Sequence, residues 1–320
     1  LTFSLDYFDS RSKDLIMPVT ISSVYGTDCM YRNLGEVSNK GIEFGAQLAL
    51  IQNRDFKWYV GGTISTNKNE VKSLGGENSM ILSMSDGSAV ISEVGQPLYS
   101  FYGYQTDGVF ATDDAVVAAG KDGQALTNAI GVAFAAGDMR FVDQNGDGKI
   151  DKEDRVNLGN ALPDFYGTFY TNFQYKGLAV SAVFGYSKGN KMYNAVRRTM
   201  ESMSDFSNQL TSVTRRWMYE GQITDIPRAV YGDPMENSRF SDRWIEDASY
   251  LKLKELMVSY KFNLFAGTTV FVAAENLFTA TKYLGMDPET MYSYDSSMRG
   301  FDYGKIASPR TVKLGFKVQF

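Results

Sequence analysis

Histidine is missing from the chain altogether, and cysteine is represented by Cys29 alone. Without histidine there is no Ser-His or Cys-His nucleophilic pair, no imidazole base and no usual zinc or iron site. A single thiol excludes an internal disulfide and a thiolate metal cluster. Long apolar runs are missing too: the best, Ala129 to Ala136, has eight residues, against the roughly 18 that a spanning helix needs. Any membrane crossing is therefore left to strands. Positive charge is outnumbered, 32 Lys and Arg against 37 Asp and Glu, and is not clustered, so nucleic acid is not an expected partner. Only carboxylate chemistry such as glycoside hydrolysis survives these exclusions.

What the chain has in quantity is alternation. In its last ten residues Val312, Leu314, Phe316, Val318 and Phe320 are apolar, while the residues between them are polar or Gly. A period of two over that length is a strand with one greasy and one wet face, and about nine to eleven residues is what a tilted strand needs to cross a bilayer. Seven more segments read as strands: Leu1 to Phe8, Gly41 to Leu50, Phe56 to Ile64, Tyr166 to Tyr175, Leu178 to Tyr186, Ser249 to Phe262 and Thr268 to Asn276. In Ser249 to Phe262 the apolar phase slips between Leu253 and Leu256, which predicts a β-bulge near Lys254 and Glu255. Aromatic residues make up 14% of the chain, a share that girdles at two membrane interfaces would explain.

The connections fall into two sets. Short turns occupy 52–55, 176–177 and 263–267, and long excursions occupy 9–39, 67–163, 187–248 and 277–309. They alternate throughout, the asymmetry of an outer-membrane barrel with short periplasmic turns and long extracellular loops. The expected fold is therefore all-β, a transmembrane antiparallel barrel wall of eight strands with its C-terminus in the periplasm. The aromatic stretch Leu98 to Phe110 must lie within an extracellular excursion, because a spanning strand there would break the alternation. Helix-compatible residues between Asn194 and Glu220 predict a surface helix in the second large excursion. The chain starts in strand alternation with neither an initiator Met nor a leader, as expected of a piece of a longer protein.

One stretch carries metal chemistry. Asp143 to Asp154 (DQNGDGKIDKED) follows the calcium-loop spacing, with side-chain oxygens at positions 1, 3 and 5, Gly148 at position 6 and a carboxylate at position 12. The expected ligands are Asp143, Asn145, Asp147, Lys149 through its backbone carbonyl, Asp154, and Asp151 directly or through water. Position 12 is Asp rather than Glu, so its shorter arm reaches the ion with fewer oxygens. The expected role is structural, pinning a long loop. Asp242, Glu246 and Asp247 form a second acidic group beside Arg243, which reads as a solvated rim network rather than a catalytic pair. Loop aromatics (Tyr99, Tyr102, Tyr104, Trp217, Tyr231, Tyr292, Tyr294) are of the kind that stack on sugars or peptides, or pack the loops together. No substrate-binding residue is assigned.

Several phrases resemble the SusC/RagA family of TonB-dependent outer-membrane transporters of Bacteroidota. They are Asn39 to Glu43 (NKGIE), Gly95 to Leu98 (GQPL), Phe101 to Tyr104 (FYGY), Asp107 to Phe110 (DGVF), Gly137-Asp138 leading into the calcium-type loop, Ser241 to Leu253 (SDRWIEDASYLKL), Glu275 to Phe278 (ENLF), Asp287 to Glu289 (DPE) and Pro309 to Thr311 (PRT). They follow the family order from residue 39 onward. The resemblance implies the last eight strands of a barrel of about twenty-two, with the plug domain absent from this chain. It implies import of a glycan or oligopeptide rather than catalysis. A SusD-like surface lipoprotein, the TonB complex reached through the missing N-terminal part, and outer-membrane lipid are the implied partners. Two other readings use the same strands: a calcium-stabilised surface lectin or adhesin built as a β-sandwich, and a self-contained eight-stranded barrel.

Overall fold

The computed structural model describes residues 1–27, 29–262 and 267–318. Eight long strands form one antiparallel sheet, each hydrogen-bonded to its neighbours in chain order. They are β1 (Thr2–Thr20), β2 (Cys29–Gln52), β3 (Phe56–Leu74), β4 (Phe165–Tyr175), β5 (Leu178–Lys188), β6 (Tyr250–Phe262), β7 (Thr268–Thr281) and β8 (Thr311–Val318). Positions 263–266 of the expected β6–β7 turn and the last two residues of the expected terminal strand lie outside the described residues. A single continuous wall rules out the two stacked sheets of a sandwich. Among the described residues nothing pairs β1 with β8, so the wall is an open arc rather than a closed eight-stranded barrel.

Register separates the two faces. Phe169 of β4 lies opposite Gly62 of β3 and Phe184 of β5, and the two phenyl rings stack at 4.4 Å and 7°. On the same face Phe173 meets Phe56 edge-on at 4.8 Å, and Val180, Val258 and Val272 continue across β5, β6 and β7. Phe44, Ile64, Phe169, Val258, Val272 and Phe316 all stand exposed here. A row of bare aliphatic and aromatic side chains is stable only against hydrocarbon. Trp58, at one end of this face, donates its indole N–H to Thr171 Oγ1 at 2.9 Å. On the opposite face Thr63 and Thr168 bond through their hydroxyls at 3.0 Å, among Ser65, Asn67, Glu255 and Ser259. That face is the wet one.

The expected bulge falls at Lys254. Leu253 pairs with Phe184 and Glu255 with Val183, so Lys254 has no opposite residue on β5. The extra residue resets the phase and keeps Leu253 and Leu256, three positions apart, on the apolar face. A second irregularity follows on β7 between Glu275 and Phe278, where Asn276 takes a left-handed φ of 54°.

Two expectations need correction. The 9–39 excursion is mostly strand: β1 and β2 stay paired from Thr2–Gln47 to Thr20–Cys29. Polar side chains hid this, because beyond the hydrocarbon both faces of a sheet can be wet and apolar alternation is no longer required. There Asp9 and Lys40 sit opposite one another and form a 2.9 Å ion pair. The Asn194 to Glu220 helix shrinks to a two-turn helix at Ala195–Glu201 and a 3₁₀ turn at Thr211–Arg215. Side chains after it bond locally, as when Asp205 Oδ1 accepts from Ser207 N at 2.8 Å, and so compete with helix continuation. Asp113–Ala119 is a short helix that no expectation covered, capped by Thr112, which accepts from Ala115 N.

The apolar face makes a measurable demand. Val258→Arg is expected to cost about 2–4 kcal/mol of the wall's stability in a bilayer, whereas Ser259→Arg, on the wet face, costs little. Reversible denaturant unfolding in lipid vesicles compares the two, and equal losses would invert the assignment of faces.

Candidate metal loop and lumen-facing site

At one end of the wall the long excursions pack into a single body. Its first core joins Val90, Phe101 and Leu158 from 67–163 to Tyr193, Phe240 and Trp244 from 187–248 and to Phe301 from 277–309. Leu98 to Phe110 contributes Ser100–Tyr104 and Thr106–Val109 to small sheets inside this body and none to the wall. Asp86 ties the same three excursions, accepting from Tyr193 at 3.1 Å and Tyr303 at 3.0 Å. Asp138, fully buried, takes a two-pronged contact from Arg228 at 2.9 and 3.0 Å and a third from Asn237 Nδ2 at 3.1 Å.

Of the acidic group at 242–247, Asp247 is the exposed rim residue expected, while Asp242 and Glu246 are drawn inward. Asp242 accepts from Thr106 through both its N–H and hydroxyl, at 3.0 and 2.6 Å. Glu246 pairs with Arg197 at 2.9 Å and accepts from Leu284 N at 2.8 Å, while Asp247 accepts from Ser249. Asp242 and Glu246 thus pin segments distant in sequence, while Asp247 bonds locally and stands exposed beside Lys188 at 3.7 Å. Behind them Glu201 is buried between Arg197 at 3.3 Å and Arg243 at 3.0 Å. Arg243, whose Nη1 has no hydrogen-bond partner, lies over the fully buried Trp244 indole at 4.5 Å. Burial pushes the Glu201 carboxyl up, but the Ser212 hydroxyl and the two guanidiniums outweigh it and hold it below the ordinary glutamate range.

The calcium-type loop closes the second core. Ile150 is fully buried beside Phe110, Phe134 and Phe141, and Lys149–Ile150 pairs in parallel with Thr127–Asn128. Asp143 accepts from Gly146 N at 2.7 Å and Gly148 N at 2.8 Å, with Gly148 at φ 86°, a turn that a side chain would strain. Asn145 accepts from Asp147 N at 2.9 Å, Asp147 from Lys149 N at 2.8 Å and Asp151 from Glu153 N at 2.8 Å. Asp154 is fully buried and accepts from Gln144 N and Asp151 N at 2.9 and 2.8 Å. Burial, with the charges of Asp143 and Asp151 behind it, raises its carboxyl above the ordinary aspartate range despite those two bonds. Among the described residues no three acidic groups are already gathered at metal-holding distance. The oxygens are held by the loop's own amides, each keeping a second lone pair for a cation. An all-oxygen donor set with one buried, charge-frustrated carboxylate fits a hard ion such as calcium.

Between the loop body and the wet face of β3 to β6 lies a cavity of about 510 Å³. At its edge Lys252 of β6, almost fully buried, bonds Asp287 at 2.9 Å and Glu289 at 3.1 Å, and Lys254 also pairs with Glu289. These lysines overcome the upward push of burial and hold Glu289 low. Nothing in the sequence joins Lys252 to Asp287 and Glu289, because 34 residues and a turn separate them. Most of the singled-out aromatics prove to be packing: Tyr104 on Phe141 at 5.8 Å, Tyr292 on Tyr303 at 5.0 Å, and Tyr102 under Arg155. Tyr231 and Tyr294 are the two that stand well out.

A tall, lipid-faced antiparallel wall that carries every long loop at one end is the build of a large outer-membrane β-barrel. No protein-family model matches the chain. TonB-dependent receptor P3 of Formosa agariphila is 30% identical to it over 339 residues, which take in the whole chain and 32% of that relative. TonB-dependent receptor SusC of Bacteroides thetaiotaomicron is 26% identical over 343 residues, again the whole chain and 30% of the relative. The solved RagAB peptide transporter shares the fold, with a TM-score of 0.77 over 98% of this chain and 33% of its own, at 23% identity. Over its whole length the chain is similar to TonB-dependent receptors, SusC among them. It spans about a third of the length of the relatives it matches, which are receptors and transporters rather than enzymes.

The Glu201 pairs give the loop body an acid limit. Because its folded pKa lies below the unfolded value, the stability Glu201 contributes is whole at neutral pH. It fades below about pH 4.3 and is gone once pH has fallen through the depressed folded value. Glu201→Gln leaves Arg243 buried against a neutral partner, for about 3–5 kcal/mol at neutral pH. Limited proteolysis of 187–248 in the full-length receptor checks this, with rapid cleavage of the variant at pH 7 expected and parental resistance counting against it.

Proposed function

We propose that this chain is the C-terminal barrel segment, the last eight of about twenty-two strands, of a receptor that imports a glycan or oligopeptide across the bacterial outer membrane by TonB-dependent transport. The observation that carries this reading is the open arc. Eight strands suffice to close a small barrel packed with its own side chains, yet among the described residues β1 and β8 do not pair with each other. In lipid an unpaired edge is untenable, so further strands must meet both edges and enclose a wider, wet lumen. The loop end then faces the cell exterior and β8 ends at the periplasmic side. A SusD-like lipoprotein would cover the loop body, and the TonB complex would act through a part of the receptor outside this segment. A lectin or adhesin of sandwich type has no observation in its favour.

Calcium belongs to the same reading as a structural ion. Asp143, Asn145, Asp147, Asp151, Asp154 and the Lys149 carbonyl would hold it, relieving the repulsion at Asp154. Its affinity is expected to weaken as pH falls, and to do so at a higher pH than for an ordinary aspartate, because a raised carboxyl protonates sooner and protons compete with the ion.

Two experiments test these statements. In cells producing the full-length receptor, uptake of its cargo oligomer should stop when the receptor is deleted or the proton gradient is collapsed; uptake unaffected by both would end the import reading. Asp143→Ala with Asp147→Ala should expose the stretch between Thr106 and Ala161 to protease, as should a calcium chelator on the parent. Equal resistance in all three samples would remove calcium from the account.

A further inference from the structure

We propose that the cavity beneath the loop body is a subsite for an anionic sugar residue of the cargo, its charge a carboxylate or a sulfate ester, held by Lys191 and Arg299. This deepens the import reading and rests on it.

Charge around the cavity does not balance. Lys252 and Lys254 are matched by Asp287 and Glu289, two against two, and that group closes on itself. Lys191 and Arg299 also line the cavity, and among the described residues neither has a carboxylate partner. Lys191 Nζ donates to the Leu158 carbonyl at 2.6 Å, which fixes its position without neutralising it. Two uncompensated cations therefore stand at one cavity in a chain whose net charge is −5.

The backbone holds the two together. Residues 191–194 and 301–302 pair in parallel, Tyr193 against Phe301, and Tyr193 N–H donates to Gly300 O at 2.8 Å. Gly300, at φ 78°, packs so tightly that a Cβ there would lie 2.4 Å from Ala161 Cβ and 3.0 Å from the Lys191 carbonyl. The backbone positions of the two residues are thus fixed before any ligand arrives, which lowers the ordering cost of binding.

The remaining lining favours a sugar over a peptide. Strands β3 to β6 have both edges paired, so an extended peptide finds no free ladder for its amides. Thr63 and Thr168 offer hydroxyls, and the Tyr166 and Tyr250 rings offer flat faces with a polar tip, suited to sugar hydroxyls and ring C–H groups.

The test uses the full-length receptor in detergent and calorimetric titration with four probes of equal length: an oligogalacturonate, a sulfated galacto-oligosaccharide, a neutral galacto-oligosaccharide and an oligoglutamate. At least one anionic glycan should bind about tenfold or more tightly than the neutral one, with the preference shrinking as salt rises. Whichever anionic glycan binds more tightly identifies carboxylate or sulfate. Lys191→Gln with Arg299→Gln should erase the preference while leaving the heat-modifiable barrel band unchanged, and Arg299→Lys should keep most of it. If the double variant misassembles, Arg299→Gln alone should lose part of the preference. Parity between neutral and anionic glycans, tighter binding of oligoglutamate, or an undiminished preference in the variants would overturn the subsite. Binding of the neutral glycan alone would do so while leaving import intact; absence of binding for all four would overturn the subsite, and the import reading stands or falls on the separate uptake experiment.

Discussion

Every backbone amide and carbonyl in a lipid-faced wall must find its partner within the wall, since hydrocarbon offers none. That requirement organises this chain. It sets eight strands in chain order, each paired along its length, and it makes register the carrier of side-chain identity. Bulges at Lys254 and near Asn276 are compatible with it because each adds a residue while ladder pairing resumes on both sides. The same requirement makes the open β1 and β8 edges the most telling feature of the structure.

Outside the hydrocarbon the rule relaxes, and the loop body is built differently. Its cores draw on three excursions at once, and its polar clamps are between segments far apart in sequence: Asp86 with Tyr193 and Tyr303, Asp138 with Arg228, Glu201 with Arg243. A buried charge pair contributes little net stability over apolar packing but is costly to break. Such clamps suit loops that must keep one arrangement beside a wet lumen. The calcium-type loop differs in being local, with all its oxygens within twelve residues and Asp154 buried with no ion-pair partner among the described residues.

Strand existence and the division into short turns and long excursions were legible because alternation is a local signal that lipid makes strict. Val258, Val272 and Phe316 could be assigned to one face from spacing alone. The bulge was legible for the same reason, as a slip in phase between Leu253 and Leu256. Where lipid no longer imposes alternation the signal vanished, so the upper halves of β1 and β2 read as loop although Asp9 and Lys40 pair across them. The Asp113–Ala119 helix could have been found from Thr112, the two acidic residues after it and Gly120, a cap-to-cap pattern within nine positions.

By itself the sequence determined the class of wall, the end at which its loops gather and the oxygen spacing of the 143–154 loop, all of them properties of residues within about a dozen positions of each other. Only the tertiary structure decided that Asp242 and Glu246 serve different distant segments, that Lys252 is neutralised by Asp287 and Glu289, and that among the described residues Lys191 and Arg299 have no carboxylate partner. Ion pairing is a matter of distance in space, falling off within a few ångströms, and the fold brings together residues that the chain keeps dozens of positions apart.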